Sequence, residues 1–361
     1  MQYREFGTTG AKVSRLGFGA MRLPDDEKQA ITILRRAMDL GVNYLDTAPG
    51  YMEGKSEKFL GKALRGYRER VYLATKNPIE DASGDNWLRR LEASLKRLDV
   101  DYIDFYHMWS INWQLYQEKI DVPHGPLWAA QKALDQGLIR HLSFSFHDKP
   151  ENMIKIIDTG HFSSVLCQYN LLDRANEESI AYAKAKGLGV AIMGPVGGGR
   201  LSAASQEIAK LIRGGAKSTP EAALRFVFSN PNVDIALSGM GSLQMVEENV
   251  QVASRRDQLS GEEREHIIQM TESNRKLLDL YCTGCNYCLP CPRGVNIPRN
   301  FELMNYHRIW GLTEYAKEYY QGLGIEEQAQ SCRSCHLCEG KCPQKLPIAQ
   351  KLQETHQALG K

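Results

Sequence analysis

The stretch Val71-Tyr72-Leu73-Ala74-Thr75-Lys76, then a helix-length interval, then Tyr102-Ile103-Asp104-Phe105-Tyr106-His107 decides how the chain is read. Each end is a short apolar run closing on a polar residue, and the interval is long enough for a crossover, so the runs fit neighbouring parallel strands. The pattern continues on both sides. Val13 to Met21 and Val42-Asn43-Tyr44-Leu45 precede it, and His141 to Phe144, Val165 to Gln168, Val190 to Ile192 and Ile235 to Leu237 follow. Between the first two strands Asp25-Asp26 offers an N-cap, Ile31, Leu34, Ala37 and Met38 recur at helical spacing, and Gly41 ends the helix. Eight strand–helix units in roughly 250 residues predict an α/β fold, a (β/α)8 TIM barrel, rather than an open doubly wound sheet. No Gly-x-Gly-x-x-Gly follows the first strand, which argues against a Rossmann domain.

Eight of the nine cysteines fall after residue 281, in two runs. Cys332-x2-Cys335-x2-Cys338-x3-Cys342-Pro343 has the bacterial ferredoxin spacing, in which three close thiolates hold one cluster and the fourth reaches the other. Cys282-x2-Cys285-x2-Cys288-x2-Cys291-Pro292 is one residue shorter before its last cysteine. A crossed pattern would give Cys282, Cys285, Cys288 and Cys342 to one [4Fe-4S] cluster, and Cys332, Cys335, Cys338 and Cys291 to the other. Paired Cys-x2-Cys units also suit two zinc sites, although four evenly spaced cysteines ending in Cys-Pro favour clusters. Cys167, inside Val165-Leu166-Cys167, reads as a buried inert thiol, and His161 and His336 as ordinary polar residues.

The expected organisation is a barrel over 1–278 and a small, mainly helical ferredoxin-like domain over 279–361. The connector is a charged helical stretch from Ser260 to Leu280, with Glu263 three residues after Ser260 as a capping box. The cysteine-rich segment shows few strand signals and would not easily build a core without metal. With 45 basic and 43 acidic residues, net +2, and no Lys/Arg run, no strong field favours nucleic acid or an anionic membrane. Met1-Gln2-Tyr3-Arg4-Glu5-Phe6 lacks the features of a signal peptide and no stretch approaches a membrane span, so a cytoplasmic protein is expected.

In a barrel of this kind, catalytic groups project from the C-terminal ends of several strands. Four polar residues occupy such places: Asp46 and Tyr51 in Leu45-Asp46-Thr47-Ala48-Pro49-Gly50-Tyr51, Lys76 after Ala74-Thr75, and His107 after Phe105-Tyr106. A lysine held charged by Asp46 would favour the phenolate of a neighbouring tyrosine and lower its pKa. Tyr51 would then act as general acid toward a C=O group, with His107 orienting the carbonyl.

In these residues the chain resembles the aldo-keto reductase superfamily from residue 3 to about 255. Asp-Thr-Ala-x-x-Tyr, the strand-closing Thr-Lys and the strand-end His look like that family's Asp, Tyr, Lys, His tetrad in order. Supporting matches are Gly17-Phe18-Gly19, Gln168-Tyr169-Asn170, Gly197-Gly198-Gly199 and Glu247-Glu248-Asn249. The resemblance implies a dinucleotide site drawn from Gly19, Ala20, Met21, Ser145, Gln168, Met193, Gly239, Glu248 and Asn249. It also implies departures. Phe146 stands where an Asn would help hold the nicotinamide, Met193 stands where an aromatic would stack on it, and Gly239-Met240-Gly241-Ser242-Leu243-Gln244-Met245 lacks the cations that grip a 2′-phosphate. The NAD(P) site is therefore weakened, NADPH is expected to bind at most marginally better than NADH, and a flavin is not excluded as mediator. Trp109, Trp113, Tyr116 and Trp128, in the long stretch after His107, serve packing and a substrate pocket equally well.

The chain is thus similar to the ferredoxin-fused branch of the family, an oxidoreductase reducing a small carbonyl or related substrate with electrons relayed by two [4Fe-4S] clusters and exchanged with a ferredoxin- or flavodoxin-type partner. The competing readings are an NAD(P)H-dependent carbonyl reductase with structural clusters, and a non-enzymatic electron-transfer or redox-sensing protein. The complete tetrad favours an enzyme.

Overall fold

The computed structural model describes residues 1–361 apart from 198–200, 202–207, 209–210, 213–214, 280–281, 283–287 and 343–344; of 274–279 the backbone alone is described. The chain forms two compact units. One comprises Met1–Gly197 and Ala223–Leu259, the other Gly198–Ala222 and Ser260–Lys361.

The first unit opens with two short strands, β1 (Tyr3–Glu5) and β2 (Lys12–Ser14), paired antiparallel. Eight strands follow: β3 (Leu16–Gly19), β4 (Tyr44–Asp46), β5 (Tyr72–Pro78), β6 (Ile103–Ile111), β7 (Ile139–Phe146), β8 (Ser164–Gln168), β9 (Gly189–Met193) and β10 (Ile235–Ser238). They close into a barrel in chain order, with β10 beside β3. Every barrel pairing is parallel, so all strand C-termini emerge at one mouth. Behind β1, Phe6 is fully buried and packs edge-on against Tyr44 at 5.6 Å and Phe105 at 5.0 Å.

Helix Glu27–Asp39 forms where its sequence predicts. Asp26 accepts from the Gln29 amide, Ala30, Ile33, Leu34, Ala37 and Met38 are buried, and Gly41 takes φ 93° just past the end. Ile31 is only half-buried, Ile33 occupying the inner face instead.

The expected first strand, Val13 to Met21, is in fact three pieces. The chain bends at Arg15, whose buried guanidinium donates to Gln258 Oε1 at 3.0 Å and to the Phe228 carbonyl, separating β2 from β3. Ala20–Arg22 is a short 3-10 turn.

In the second unit, helix Gly261–Asp279 begins with the expected capping box. The Ser260 amide donates to Glu263 Oε2 at 2.8 Å and the Glu263 amide to Ser260 Oγ at 3.1 Å. This unit also has a helical core of its own. Helices Ile297–Trp310, Thr313–Gln321 and Ile348–Leu359 bury Phe301, Leu303, Trp310, Tyr320 and Leu352, enough apolar surface for a small helical core. Asn300 ties this core to the second cysteine run. Its Nδ2 donates to the Asn296 and Glu327 carbonyls at 2.8 and 2.7 Å, and its Oδ1 accepts from the Ala329 amide at 2.9 Å, just ahead of Cys332. Among the described residues no helix is long and apolar enough to cross a membrane.

Candidate active site

Register brings the strand-end residues together. Gly19 lies beside Asp46, and Lys76 beside His107. Lys76 is almost completely buried, and its Nζ donates to Asp46 Oδ1 at 2.5 Å and to the Thr47 carbonyl at 2.7 Å. Burial alone would pull the ammonium pKa down, but Asp46 and Tyr51 outweigh it and hold Lys76 above the usual lysine value, so it stays charged. Removing either member of such a buried pair leaves an uncompensated charge, at a cost of about 3–5 kcal/mol.

Tyr51 follows Asp46 by five residues because the chain reverses there. Met52 and Glu53 adopt left-handed φ of 53° and 56°, and Gly54 φ 85°, before helix Lys55–Leu64. The tyrosine ring meets Trp109 edge-on at 5.9 Å and lies 4.8 Å from Lys76 Nζ. A Cβ at position 50 would come within 3.1 Å of the Trp109 ring, so Gly50 permits this close packing. The expected lowering of the Tyr51 pKa is corrected. Burial pushes the phenol above 10.0, and Lys76, which pulls it down, does not prevail against burial and the Asp46 charge together. Tyr51 is thus protonated at neutral pH, as a proton donor must be.

His107 is fully buried, and neither ring nitrogen has a side chain or backbone partner in hydrogen-bond geometry among the described residues. Burial first, and then the Lys76 charge, depress it to about 3 against a weak opposing pull from the Phe144 backbone. The imidazole is neutral. Asp46 Oδ2 is likewise buried and unsatisfied among the described residues. Buried polar atoms without partners mark a place for a polar ligand or water. Because His107 is neutral throughout, the pH profile of kcat/KM should show no inflection from it between about pH 5 and 8. The alkaline limb should belong to Tyr51 and Lys76 and lie above pH 10. An acid limb near 6.5 that vanishes in His107→Gln would contradict this.

Residues the sequence reading passed over hold this group in place. Thr47 and Ser56 hydroxyls lie 2.8 Å apart, Ser56 donates to the Ala20 carbonyl at 2.7 Å, and fully buried Glu57 accepts from Thr75 Oγ1 at 2.7 Å and from Arg97 Nε at 2.5 Å. Thr75, adjoining Lys76, was the available signal.

Around the rim, Ser145 is buried and its Oγ accepts from the Ser110 amide at 2.7 Å, leaving the hydroxyl proton for another acceptor. A bulge between Met108 and Ile111 presents that amide, with Ser110 at φ 55°. Gln168 closes β8 beside Met193, and its carboxamide lies over Gly194, where a Cβ would approach within 2.5 Å of Oε1. These two polar groups fit a carboxamide ligand; Phe146, buried against Phe144, offers it no hydrogen bond, and the half-buried thioether of Met193 gives no aromatic face to stack on. Ala20 is buried and Met21 is 57% exposed at the mouth. Beyond Gly239, helix Leu243–Ser254 carries Asn249, which donates to Ser238 Oγ at 3.1 Å, and Glu248, which accepts from Gln244 at 2.8 Å. Glu247 instead pairs with Arg36 at 2.8 Å. Gly198 and Gly199 lie outside the described residues.

The four aromatic residues do not form one cluster. Trp109 meets Tyr51, Trp113 stacks on Tyr116 at 5.6 Å, and Trp128 lies on helix Pro126–Asp135 under Lys132 at 3.7 Å.

Of the eight clustered cysteines, Cys285 lies outside the described residues. In the second run, left-handed Ser334 (φ 51°) and His336 (φ 59°) coil the loop. Cys332 and Cys335 come near enough that, after burial and Glu339, their charges help push the Cys338 thiol up to about 11. Thiolates are soft donors of the kind that suit iron, and among the described residues no three candidate ligands are gathered closely enough to form a metal site. Cys342 follows helix Leu337–Lys341 directly and is buried, as is Cys288, whereas Cys282 and Cys291 are half-exposed and Cys335 is open. Cys167 is buried, its thiol raised to about 12, as expected of an inert group. His161 is exposed, and His336 pairs with Glu339 at 2.9 Å.

A parallel barrel with a buried Lys–Asp pair, a phenol and a neutral imidazole at its mouth is the site of a barrel oxidoreductase. The chain belongs to the aldo/keto reductase family, whose family model matches residues 15–272, and residues 281–346 match the 4Fe-4S dicluster domain, which supports iron–sulfur clusters over zinc. An aldo-keto reductase of Bacillus halodurans in its holo form is 31% identical, covering 74% of this chain and 96% of its own, with a TM-score of 0.66. An aldo/keto reductase of Klebsiella pneumoniae in complex with NADP and acetate is 25% identical, covering 73% of this chain and 94% of its own, with a TM-score of 0.63. L-galactose dehydrogenase of Arabidopsis thaliana is 29% identical over 72% of this chain and 90% of its own. The flavin left open by the sequence gains no support from these relatives.

Proposed function

We propose that this chain reduces a carbonyl or related group of a small molecule, with Tyr51 as general acid and electrons relayed by two [4Fe-4S] clusters. The observation that carries the reading is the buried Asp46–Lys76–Tyr51–His107 group at the barrel mouth, in a chain that also matches a dicluster domain. Lys76, charged by Asp46, faces the Tyr51 ring and favours the phenolate that proton transfer leaves behind. His107, neutral, has one N–H that can donate to the substrate carbonyl oxygen. Cys282, Cys285, Cys288 and Cys342 would hold one cluster and Cys332, Cys335, Cys338 and Cys291 the other. A small ferredoxin or flavodoxin is the chemical type of partner that supplies single electrons.

A second reading, NAD(P)H-dependent carbonyl reduction with structural clusters, is favoured by the polar groups of Ser145 and Gln168 at the strand ends and by the NADP-bound relative. A bound nicotinamide would supply hydride, and Tyr51 would still supply the proton.

Anaerobically isolated protein should contain about eight iron and eight acid-labile sulfide per chain, two four-iron clusters, with an EPR signal on reduction. About two zinc and no sulfide would overturn the cluster assignment and the relay with it.

A further inference from the structure

We propose that Asn77 and Tyr106 are positioning residues: their buried hydrogen bond ties the ends of β5 and β6 together outside the barrel and so fixes Lys76 and His107 inside it. The inference deepens the proton-transfer reading above and rests on it.

Side chains alternate along a strand, so the neighbours of an inward residue point out toward the helices. Lys76 and His107 are register partners, which turns Thr75, Asn77 and Tyr106 the other way. There they meet helix Lys55–Leu64 and helix Gly84–Leu98. Asn77 Nδ2 donates to the Tyr106 hydroxyl at 3.0 Å and to the Trp87 carbonyl at 2.9 Å, and Asn77 Oδ1 accepts from Arg90 Nε at 2.9 Å. The Tyr106 ring stands edge-on to Trp87 at 5.2 Å. On the other side of Lys76, Thr75 donates to Glu57, Glu57 holds Arg97, and Arg97 Nη2 donates to Ser94 Oγ at 3.0 Å. Ser94 in turn interacts with the Tyr106 hydroxyl. The polar chain therefore leaves β5 at Thr75 and returns to it at Asn77, straddling Lys76. Thr75, Asn77, Tyr106, Glu57 and Ser94 are all buried.

The inward-facing pair has little else to aim it. Lys76 Nζ is drawn toward β4 by Asp46 and the Thr47 carbonyl, and neither ring nitrogen of His107 has a partner among the described residues. The imidazole is thus aimed by its strand, and the strand is held at Tyr106. A satisfied buried polar network specifies one arrangement, where apolar contact would tolerate several. Precision matters here, because a displacement of about 1 Å at a reacting group is enough to cost rate.

The test compares wild type, Tyr106→Phe and Asn77→Ser, each alone and combined with Tyr51→Phe, as full-length, cluster-loaded protein reducing a panel of aldehydes that includes benzaldehyde. Electrons come from NADPH or, separately, from chemically reduced clusters. Tyr106→Phe removes one hydroxyl and keeps the ring against Trp87, Asn77→Ser withdraws the donor from the other side, and circular dichroism with iron content reports which variants are folded. Either folded variant should lower kcat by about tenfold with KM little changed. In the Tyr51→Phe background the same substitution should cost less than about twofold, because Lys76 then has no phenol to act on. Wild-type kcat in either folded variant, alongside a slow Tyr51→Phe, would overturn the positioning role and leave the proton-transfer reading standing. A loss that appears in KM, or that is equally large once Tyr51 is gone, would overturn it in the same way. Tyr51→Phe as fast as wild type, or a wild type that reduces none of the aldehydes, would overturn the proton-transfer reading and this role together.

Discussion

Replacing Tyr51 with Phe should lower turnover by about 10²-fold or more while leaving iron and sulfide content unchanged. The substitution removes one hydroxyl and little else. The phenylalanine ring can keep the edge-on contact with Trp109, and Lys76 retains Asp46 and the Thr47 carbonyl, so the buried charge pair stays compensated. A loss of rate therefore reports on proton transfer rather than on collapse of the mouth. The pH profile gives a second check, because the alkaline limb should change when the phenol is removed. Turnover equal to wild type, measured on the same preparation as cluster content, would remove Tyr51 from the mechanism.

The barrel and the strand-end group were legible because they follow local rules. Parallel strands end in register, so a polar residue after each apolar run emerges at the mouth, and Asp46, Lys76 and His107 are placed by that rule alone. What escaped depends on contacts far along the chain. The bend at Arg15 is fixed by Gln258, and Glu57 looks like a solvated helix residue until Arg97 and Thr75 bury its carboxylate. The Tyr51 pKa was misjudged because a neighbouring lysine is visible in the sequence, whereas the burial that outweighs it is not. Likewise Phe301, Trp310 and Tyr320 show a core only once their helices are packed.

The relay makes a demand that hydride chemistry does not. Reducing one carbonyl takes two electrons and two protons, and two reduced clusters hold one electron each, so a single turnover should empty both. Nicotinamide would be unnecessary for that turnover. The most direct test is to reduce dinucleotide-free protein chemically, remove the reductant, add a carbonyl substrate anaerobically, and follow cluster EPR and alcohol formation together. The account predicts that the wild-type clusters are reoxidised with about one alcohol formed per two electrons, and that Tyr51→Phe holds its clusters reduced at least about 10²-fold longer. Clusters that stay reduced in wild type, together with cluster-depleted protein that turns over with NAD(P)H at unchanged substrate affinity, would contradict it.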